Sequence, residues 1–176
     1  MKAHIAAHNR HILYPKETTE EGCNCRQNSD KCPMEGKCQT KSLVYKATVT
    51  TNQPKMKERS YIGMTGDTFK KRYAGHKSDL THKENHGTAL SRYVWKIKDI
   101  IQGLNGSAKE KFKWNINWEV IEKAPTYKPG SKNCNLCIAE KHHILREDNN
   151  ISLNVRSELL SMCRHKAKWK LGKLLK

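Results

Sequence analysis

The stretch "ERSYIGMTGDTFKKRYAGHK" (58–77) predicts a β-strand that runs directly into an α-helix. The strand ends at residues 61–63, and polar residues follow that can cap a helix. In the helix Arg72 and His76 are four residues apart, so their side chains share one face. The pattern therefore predicts that Tyr61, at the end of a strand, faces an arginine and a histidine one helical turn apart.

The preceding segment predicts the partner strand. In "SLVYKATVTT" (42–51) Tyr45 belongs to an alternating apolar set that predicts one buried face. With 59–63 it forms an antiparallel hairpin, which places Tyr45 and Tyr61 on adjacent strands with both hydroxyls on the same face. Thr65 or Asp67 is the predicted cap of the following helix.

The rest of the chain predicts one further strand and three further helices. "KWNINWEVIE" (113–122) alternates as a half-buried strand. Helices are predicted over 88–102, 133–148 and much of 156–175, with a loop at 103–107. The expected fold is therefore α+β (mixed α/β), with a small, mainly antiparallel three-stranded sheet flanked by helices and an N-terminal zinc-binding cysteine segment.

The charge balance predicts a polyanionic partner. Among 176 residues, Lys and Arg number 34 and Asp and Glu 17, giving a formal net charge of +17. Nucleic acid is the usual partner of such an excess, and an acidic membrane surface is the alternative. No apolar stretch matches a membrane span or a signal peptide, so we expect an intracellular protein with no membrane partner.

The seven cysteines fall into two groups with metal-ligand spacing. The first predicted zinc set is Cys23, Cys25, Cys32 and Cys38, four thiols within 16 residues. The second is Cys134, Cys137, Cys163 and His165, with His142 or His143 as alternative ligands.

Other interpretations of the cysteines are open at this stage. They could be free buried thiols, or Cys134 and Cys137 could form a redox pair. A secreted disulfide scaffold is a third interpretation, but the odd number of cysteines and their clustering argue against it.

Glu140 completes a set of groups that suits phosphodiester chemistry. It lies in the middle of a predicted helix among apolar residues, where a half-buried acid is costly unless it pairs with a lysine or binds a metal. Hydrolysis of a phosphodiester requires a base for the attacking water, a fixed cation on the phosphate and a carboxylate for a divalent metal. Each of these residues alone would be an ordinary tyrosine, surface cation or helical acid; the interpretation depends on the set.

The ordered motifs resemble those of a GIY-YIG endonuclease domain. They are "LVY" (43–45), "YIGMT" (61–65), Arg72, His76, Glu140 and "LN" (153–154). More narrowly, several passages resemble the endonuclease domain of Penelope-like retroelements. These are "CPMEGKCQTKSLVYKATV", "TALSRYVWKIKD", "CNLCIAEKHHI" and "LNVRSELLSMCRH". The first motif departs from the family by reading Leu-Val-Tyr, and fifteen residues separate it from Tyr61, somewhat more than the family habit.

The resemblance implies a role for each site residue. Tyr45 would be the general base or would orient the attacking water, and Tyr61 would help to position water or phosphate. Arg72 would stabilise charge on the phosphate, and His76 would assist it. Two further roles are implied: Glu140 as the sole carboxylate ligand of Mg²⁺ or Mn²⁺, and Asn154 as a structural brace, although an asparagine there could also be a helix N-cap.

The resemblance also implies a domain organisation and a biological context. Residues 1–22 would be the linker or tail of a larger polyprotein, 23–41 a cysteine-rich zinc segment, 42–155 the nuclease core and 156–176 a basic helix. The enzyme would nick target DNA for retroelement insertion in the nucleus, with a reverse transcriptase and its RNA as partners in cis or in trans.

The C-terminal tail carries the predicted DNA contacts, with a solvated basic face as the alternative. They are Arg164, Lys166, Lys168 and Lys170. The alternative function for the whole chain is a catalytically silent, zinc-stabilised nucleic-acid-binding module.

Overall fold

The computed structural model describes residues 23, 25, 32–84, 87–126, 133–160, 162, 163 and 165. The predicted tail 1–22 lies outside the described residues, as does nearly all of the predicted helix beyond residue 160. The predicted DNA contacts Arg164, Lys166, Lys168 and Lys170 also lie outside them.

The described residues form a three-stranded antiparallel sheet with helices on both faces, which confirms the predicted fold class. Its strands are β1 (Lys41–Thr51), β2 (Arg59–Thr68) and β3 (Trp114–Lys123), in the order β2-β1-β3. The helices are α1 (Phe69–Thr81), α2 (Ala89–Gln102), α3 (Gly106–Lys111), α4 (Asn135–Arg146) and α5 (Arg156–Leu159).

Four predicted boundaries are wrong. The last predicted helix ends at Leu159 with its C-cap at Leu160, and Met162 and Cys163 are not helical. Strand β2 continues five residues beyond Gly63, because its pairing with β1 extends as far as Thr68. The cap of α1 is therefore Thr68, whose side chain accepts a hydrogen bond from Lys71 N, and neither Thr65 nor Asp67. The predicted loop at 103–107 ends early, since α3 begins at residue 106.

Alternation along the strands separates two cores. Odd-numbered residues of β1 and β2, including Tyr45 and Tyr61, face α1 and α2. Even-numbered residues such as Val44 and Ile62 face α4 on the opposite side of the sheet. Because side chains alternate with a period of two, the tyrosines and Glu140 of α4 belong to opposite layers and can meet only at an edge of the sheet.

That edge is β2, and the segment 150–154 runs along it. Ser60 N donates to Ile151 O at 2.9 Å, and Leu153 N donates to Ser60 O at 2.7 Å. The segment therefore joins the two layers beside β2. Within the described residues no helix is both long and apolar enough to span a bilayer.

Candidate active site

A cleft of about 670 Å³ opens at the β2 edge, where the two helical layers meet. Four of the six predicted catalytic residues line it: Tyr61 from β2, Arg72 from α1, Glu140 from α4, and Asn154. Residues more than 90 positions apart in sequence are thus brought to one concave surface. Its volume lies within the range of small-ligand sites.

The other two predicted residues lie beneath the cleft. Tyr45 has no exposed surface and His76 is 1% exposed. The Tyr45 hydroxyl lies 2.7 Å from His76 Nε2 and accepts a hydrogen bond from Arg72 Nε at 3.0 Å. Tyr45 therefore holds the arginine in place from below, and it does not itself contact the cleft.

His76 is neutral in this environment. Its burial, and then the charge of Arg72, lower the pKa of His76 to about 3. A neutral imidazole has one ring nitrogen that accepts a proton. Since Arg72 Nε already donates to the phenol, Nε2 of His76 is well placed to accept the Tyr45 hydroxyl proton.

Tyr61 is the phenol that reaches the cleft. Burial raises the pKa of Tyr61 well above its usual value, and the neighbouring Tyr45 raises it further. Arg72 lowers that pKa, whereas the carboxylates of Glu158 and Glu140 raise it. Tyr61 is therefore protonated at neutral pH and lies within electrostatic reach of two acids and one cation.

Arg72 links the two phenols. It is partly buried, and loss of hydration alone would lower the pKa of Arg72, but Tyr45 and Tyr61 raise it, so the guanidinium stays charged. A guanidinium has five N–H donors in a planar fork. With Nε bound to Tyr45, the group is fixed in orientation at the cleft wall.

Asn154 braces the outer edge of β2. Its Oδ1 accepts from Ile62 N and its Nδ2 donates to Ile62 O, each at 2.8 Å. The helix N-cap interpretation is wrong, because the cap position of α5 is Val155. The amide of Asn154 instead takes the place of a neighbouring strand.

Glu158 is a cleft residue that the sequence analysis missed. Its Oε2 accepts from Asn154 Nδ2 at 2.7 Å and from Val155 N at 3.2 Å. It orients the amide of Asn154 and adds its carboxylate to the cleft that Glu140 also lines. The one available signal was its spacing, four residues after Asn154.

Glu140 is half-buried in α4 and lines the cleft with Glu158, Asp67 and Asp79. No three acidic groups in the described part of the chain converge within 4.8 Å. A divalent cation at Glu140 would thus have one or two protein carboxylates and would need water or phosphate oxygens to complete its shell. Mg²⁺ is a cation that commonly binds through one or two carboxylates and keeps several waters.

The second cysteine set can hold a metal ion such as zinc. It is formed by the predicted residues Cys134, Cys137, Cys163 and His165. Cys137 Sγ lies 3.3 Å from Cys163 Sγ, and His165 Nδ1 lies 3.4 Å from the sulfurs of both Cys134 and Cys137. Neither His142 nor His143 belongs to this set, and His143 Nε2 instead lies 2.7 Å from Glu122 Oε2.

The first cysteine set can also hold a metal ion such as zinc. It is formed by Cys23, Cys25, Cys32 and Cys38, with Cys38 Sγ lying 3.5 Å from Cys23 Sγ and 3.6 Å from Cys25 Sγ. A Zn–S bond of about 2.3 Å gives a tetrahedral S···S edge of about 3.8 Å, which these separations approach. All seven cysteines are free thiols, so the structure contains no disulfide framework.

Each cysteine set is attached to an element that builds the cleft. Cys38 O accepts from Lys70 N at 2.7 Å, which joins the first set to the start of α1, the helix of Arg72. Cys137 lies one helical turn before Glu140, and both line the cleft. The metal-ligating groups therefore adjoin both walls of the cleft.

No family profile, curated protein or solved structure matches this chain.

Proposed function

We propose that this chain is a metal-dependent DNA endonuclease that hydrolyses phosphodiester bonds. One observation carries the proposal: a single cleft in a strongly basic chain unites a fixed arginine, a buried phenol–imidazole pair beneath it, a second, largely buried phenol that lines the cleft, and a half-buried glutamate. A cation for the phosphate, proton-transfer groups and a metal-binding carboxylate are the parts that such a reaction needs.

Arg72 would neutralise charge that develops on the phosphate oxygens. Its hydrogen bonds to Tyr45 and Tyr61 fix the side chain, so an N–H group that neither phenol uses can bind the substrate with little further loss of side-chain freedom. Removing such a preorganised donor from an active site typically costs a factor of about 10²–10³ in rate.

Tyr61 would orient the attacking water or the phosphate, because it is the phenol at the cleft surface. Tyr45 accepts from Arg72 Nε at 3.0 Å, and its hydroxyl lies 2.7 Å from His76 Nε2. The buried pair would therefore position the guanidinium beneath the phosphate. Mg²⁺ or Mn²⁺ held by Glu140 would lower the pKa of a bound water and stabilise phosphate charge.

The two cysteine sets would hold structural zinc. Burial, and then hydrogen bonds with the neighbouring cysteines, raise the pKa of the Cys38 and Cys137 thiols, which is unfavourable for thiolates unless a cation lies among them. Zinc is the cation that commonly takes four sulfur ligands or three sulfurs and one imidazole.

A supercoiled-plasmid assay tests the proposal. Wild type should convert supercoiled DNA to the nicked form only with Mg²⁺ or Mn²⁺, while Glu140→Ala and Arg72→Ala should show little conversion. The matched controls are Glu119→Ala and Arg146→Ala, which alter exposed residues outside the cleft. Equal nicking by all five proteins would indicate a contaminating nuclease and would overturn the proposal.

A catalytically silent, zinc-stabilised nucleic-acid-binding module is the second candidate. The complete burial of Tyr45 favours it, because no water in the cleft can touch that hydroxyl in this conformation. The module would shift DNA in a gel, yet give no metal-dependent nicking.

Insertion of a retroelement, a nuclear location and a reverse transcriptase partner remain predictions drawn from the family resemblance. They do not affect the plasmid assay, which uses this chain alone.

A further inference from the structure

A second groove lies at the hairpin end of the sheet. It is lined by Lys55, Met56, Lys57, Arg59, Tyr93 and Asn150. Three of these six residues are cations and none is acidic. No ion pair among the described residues engages any of the three cations.

The loop that carries the two lysines is anchored at its start and near its middle. Asn52 holds its start against the α3–β3 junction: Asn52 N donates to Lys113 O at 3.0 Å, and Asn52 Nδ2 donates to Lys111 O at 2.7 Å. Met56 N donates to Gln53 O at 3.0 Å, and Met56 packs against the core beneath the sheet. The lysines therefore project from a fixed turn.

Arg59 is also held in place. Its Nη1 donates to Asn150 O at 2.5 Å, which uses one of its five N–H donors. Tyr93, from α2, is partly buried against the same core. The groove thus combines one held arginine and two exposed lysines with an aromatic side chain, and its positive charge suits the phosphates of a nucleic-acid backbone.

The groove continues the line of the active-site cleft. Arg59 and Tyr61 are two residues apart on β2, so they face the same side of the sheet about 6.7 Å apart. The segment 150–154 borders both sites, with Asn150 in the groove and Asn154 in the cleft. Two duplex base steps, at about 3.4 Å of rise each, cover a similar distance.

We propose that this groove binds the DNA backbone on one side of the scissile phosphate. The inference rests on the proposed nuclease site, since that site defines where the scissile phosphate lies. Lys55, Lys57 and Arg59 contact successive phosphates of the flanking strand, while Tyr93 forms the apolar wall of the groove. The hairpin end of β2 thereby sets the direction in which the substrate leaves the cleft.

The test is a binding measurement that does not depend on cleavage. Fluorescence anisotropy of a labelled 20-base-pair duplex is followed without Mg²⁺ or Mn²⁺ as NaCl is raised from 50 to 200 mM. The groove variant is Lys55→Gln/Lys57→Gln. The control variant, Lys109→Gln/Lys123→Gln, also removes two exposed cations, one from α3 and one from β3. Strand β3 forms the other edge of the sheet.

We expect the groove variant to bind about tenfold more weakly at 150 mM salt, with a salt dependence reduced by about two logarithmic units per decade. The control pair should change affinity by less than twofold. Equal weakening in both pairs would show that only net charge matters and would overturn the proposal, as would unchanged binding by the groove variant.

The result is separable from the nuclease assay. If wild type nicks the plasmid but both double variants bind DNA equally well, the groove proposal is rejected and the nuclease proposal stands. If wild type leaves the plasmid uncut but the groove variant alone binds DNA more weakly, the hairpin contacts DNA and the cleavage site is rejected.

Discussion

The phenol of Tyr45 occupies the space above Gly63, its direct partner on the adjacent strand. A Cβ atom placed on Gly63 would lie 2.5 Å from the Tyr45 hydroxyl oxygen and 2.7 Å from Cζ. Position 63 must therefore be glycine, because the Tyr45 ring approaches the backbone there too closely for a side chain. The same contact positions the hydroxyl between Arg72 and His76.

Gly63→Ala should displace the Tyr45 ring and separate it from Arg72. We expect a loss of about 1–3 kcal/mol in the free energy of unfolding, as for other overpacked cores, together with a loss of nicking. The control is Gly75→Ala in α1, where an added Cβ meets no atom within 4 Å. That change should leave stability unchanged or raise it by up to about 1 kcal/mol. Urea denaturation measures both, and equal stability of the two variants would refute the packing argument.

Arg72→Lys should separate charge from geometry. Lysine keeps the positive charge, but it has no donor in the position of Nε, so the contact with Tyr45 is lost. We expect the nicking rate to fall by about tenfold or more, because a fixed donor in an active site typically contributes a larger factor to the rate. DNA affinity should change less than threefold, because the positive charge is kept. Single-turnover nicking and anisotropy measure the two quantities. A wild-type rate would show that charge alone is sufficient at this position.

Glu158→Gln and Glu158→Ala should differ in stability. Glutamine can still accept from Asn154 Nδ2 and Val155 N, whereas alanine leaves both donors without this partner. We expect Glu158→Ala to lower the free energy of unfolding by about 1–2 kcal/mol, and Glu158→Gln by less than half of that. If both variants nick DNA at the wild-type rate, the Glu158 carboxylate has no role in metal binding.

The stability of the fold should fall in acid because His76 is buried in its neutral form. Its pKa is about 3 in the folded chain and about 6.5 when unfolded, so between these values the unfolded chain binds more protons. Stability is then lost as the pH falls below about 6.5, with a limiting slope of about 1.4 kcal/mol per pH unit.

His76→Gln removes this titration. The variant should therefore show a shallower decline than wild type when urea denaturation is compared between pH 6.5 and 4.5, because the other acid-sensitive groups are common to both proteins. Parallel curves would mean that His76 takes up its proton over the same pH range in the folded and the unfolded chain, and would refute the lowered pKa.

The number of zinc ions bound per chain should show whether each cysteine set binds one ion. Wild type should bind two Zn²⁺ per chain, and Cys137→Ser or Cys38→Ser should reduce this to one, as measured by elemental analysis of the purified protein. Because structural zinc binding contributes to folding free energy, chelation should lower the unfolding temperature of wild type. The matched control is Ser78→Ala, a substitution at an exposed serine, which should leave the zinc content unchanged. Zinc-free protein with an unchanged melting temperature would refute the structural role.

Much of the architecture follows from local patterns in the sequence. Alternation in 42–51 and 113–122 predicts two of the strands and the face that each buries, because side chains of a strand alternate with a period of two. The cysteine spacings predict both ligand sets. Four thiols within 16 residues can converge without long-range information, whereas the second set needs the fold to bring Cys163 and His165 to Cys134 and Cys137.

The depth and partners of the site residues depend on tertiary structure. Nothing local distinguishes Tyr61, which reaches the cleft, from Tyr45, which lies beneath it, since both alternate onto the same face of the hairpin. Asn154 and Glu158 join the site because the segment 150–154 runs along β2, a contact between residues about 90 positions apart. Local periodicity determines which face of an element is apolar, but exposure, proton affinity and hydrogen-bond partners depend on what the rest of the chain packs against that face.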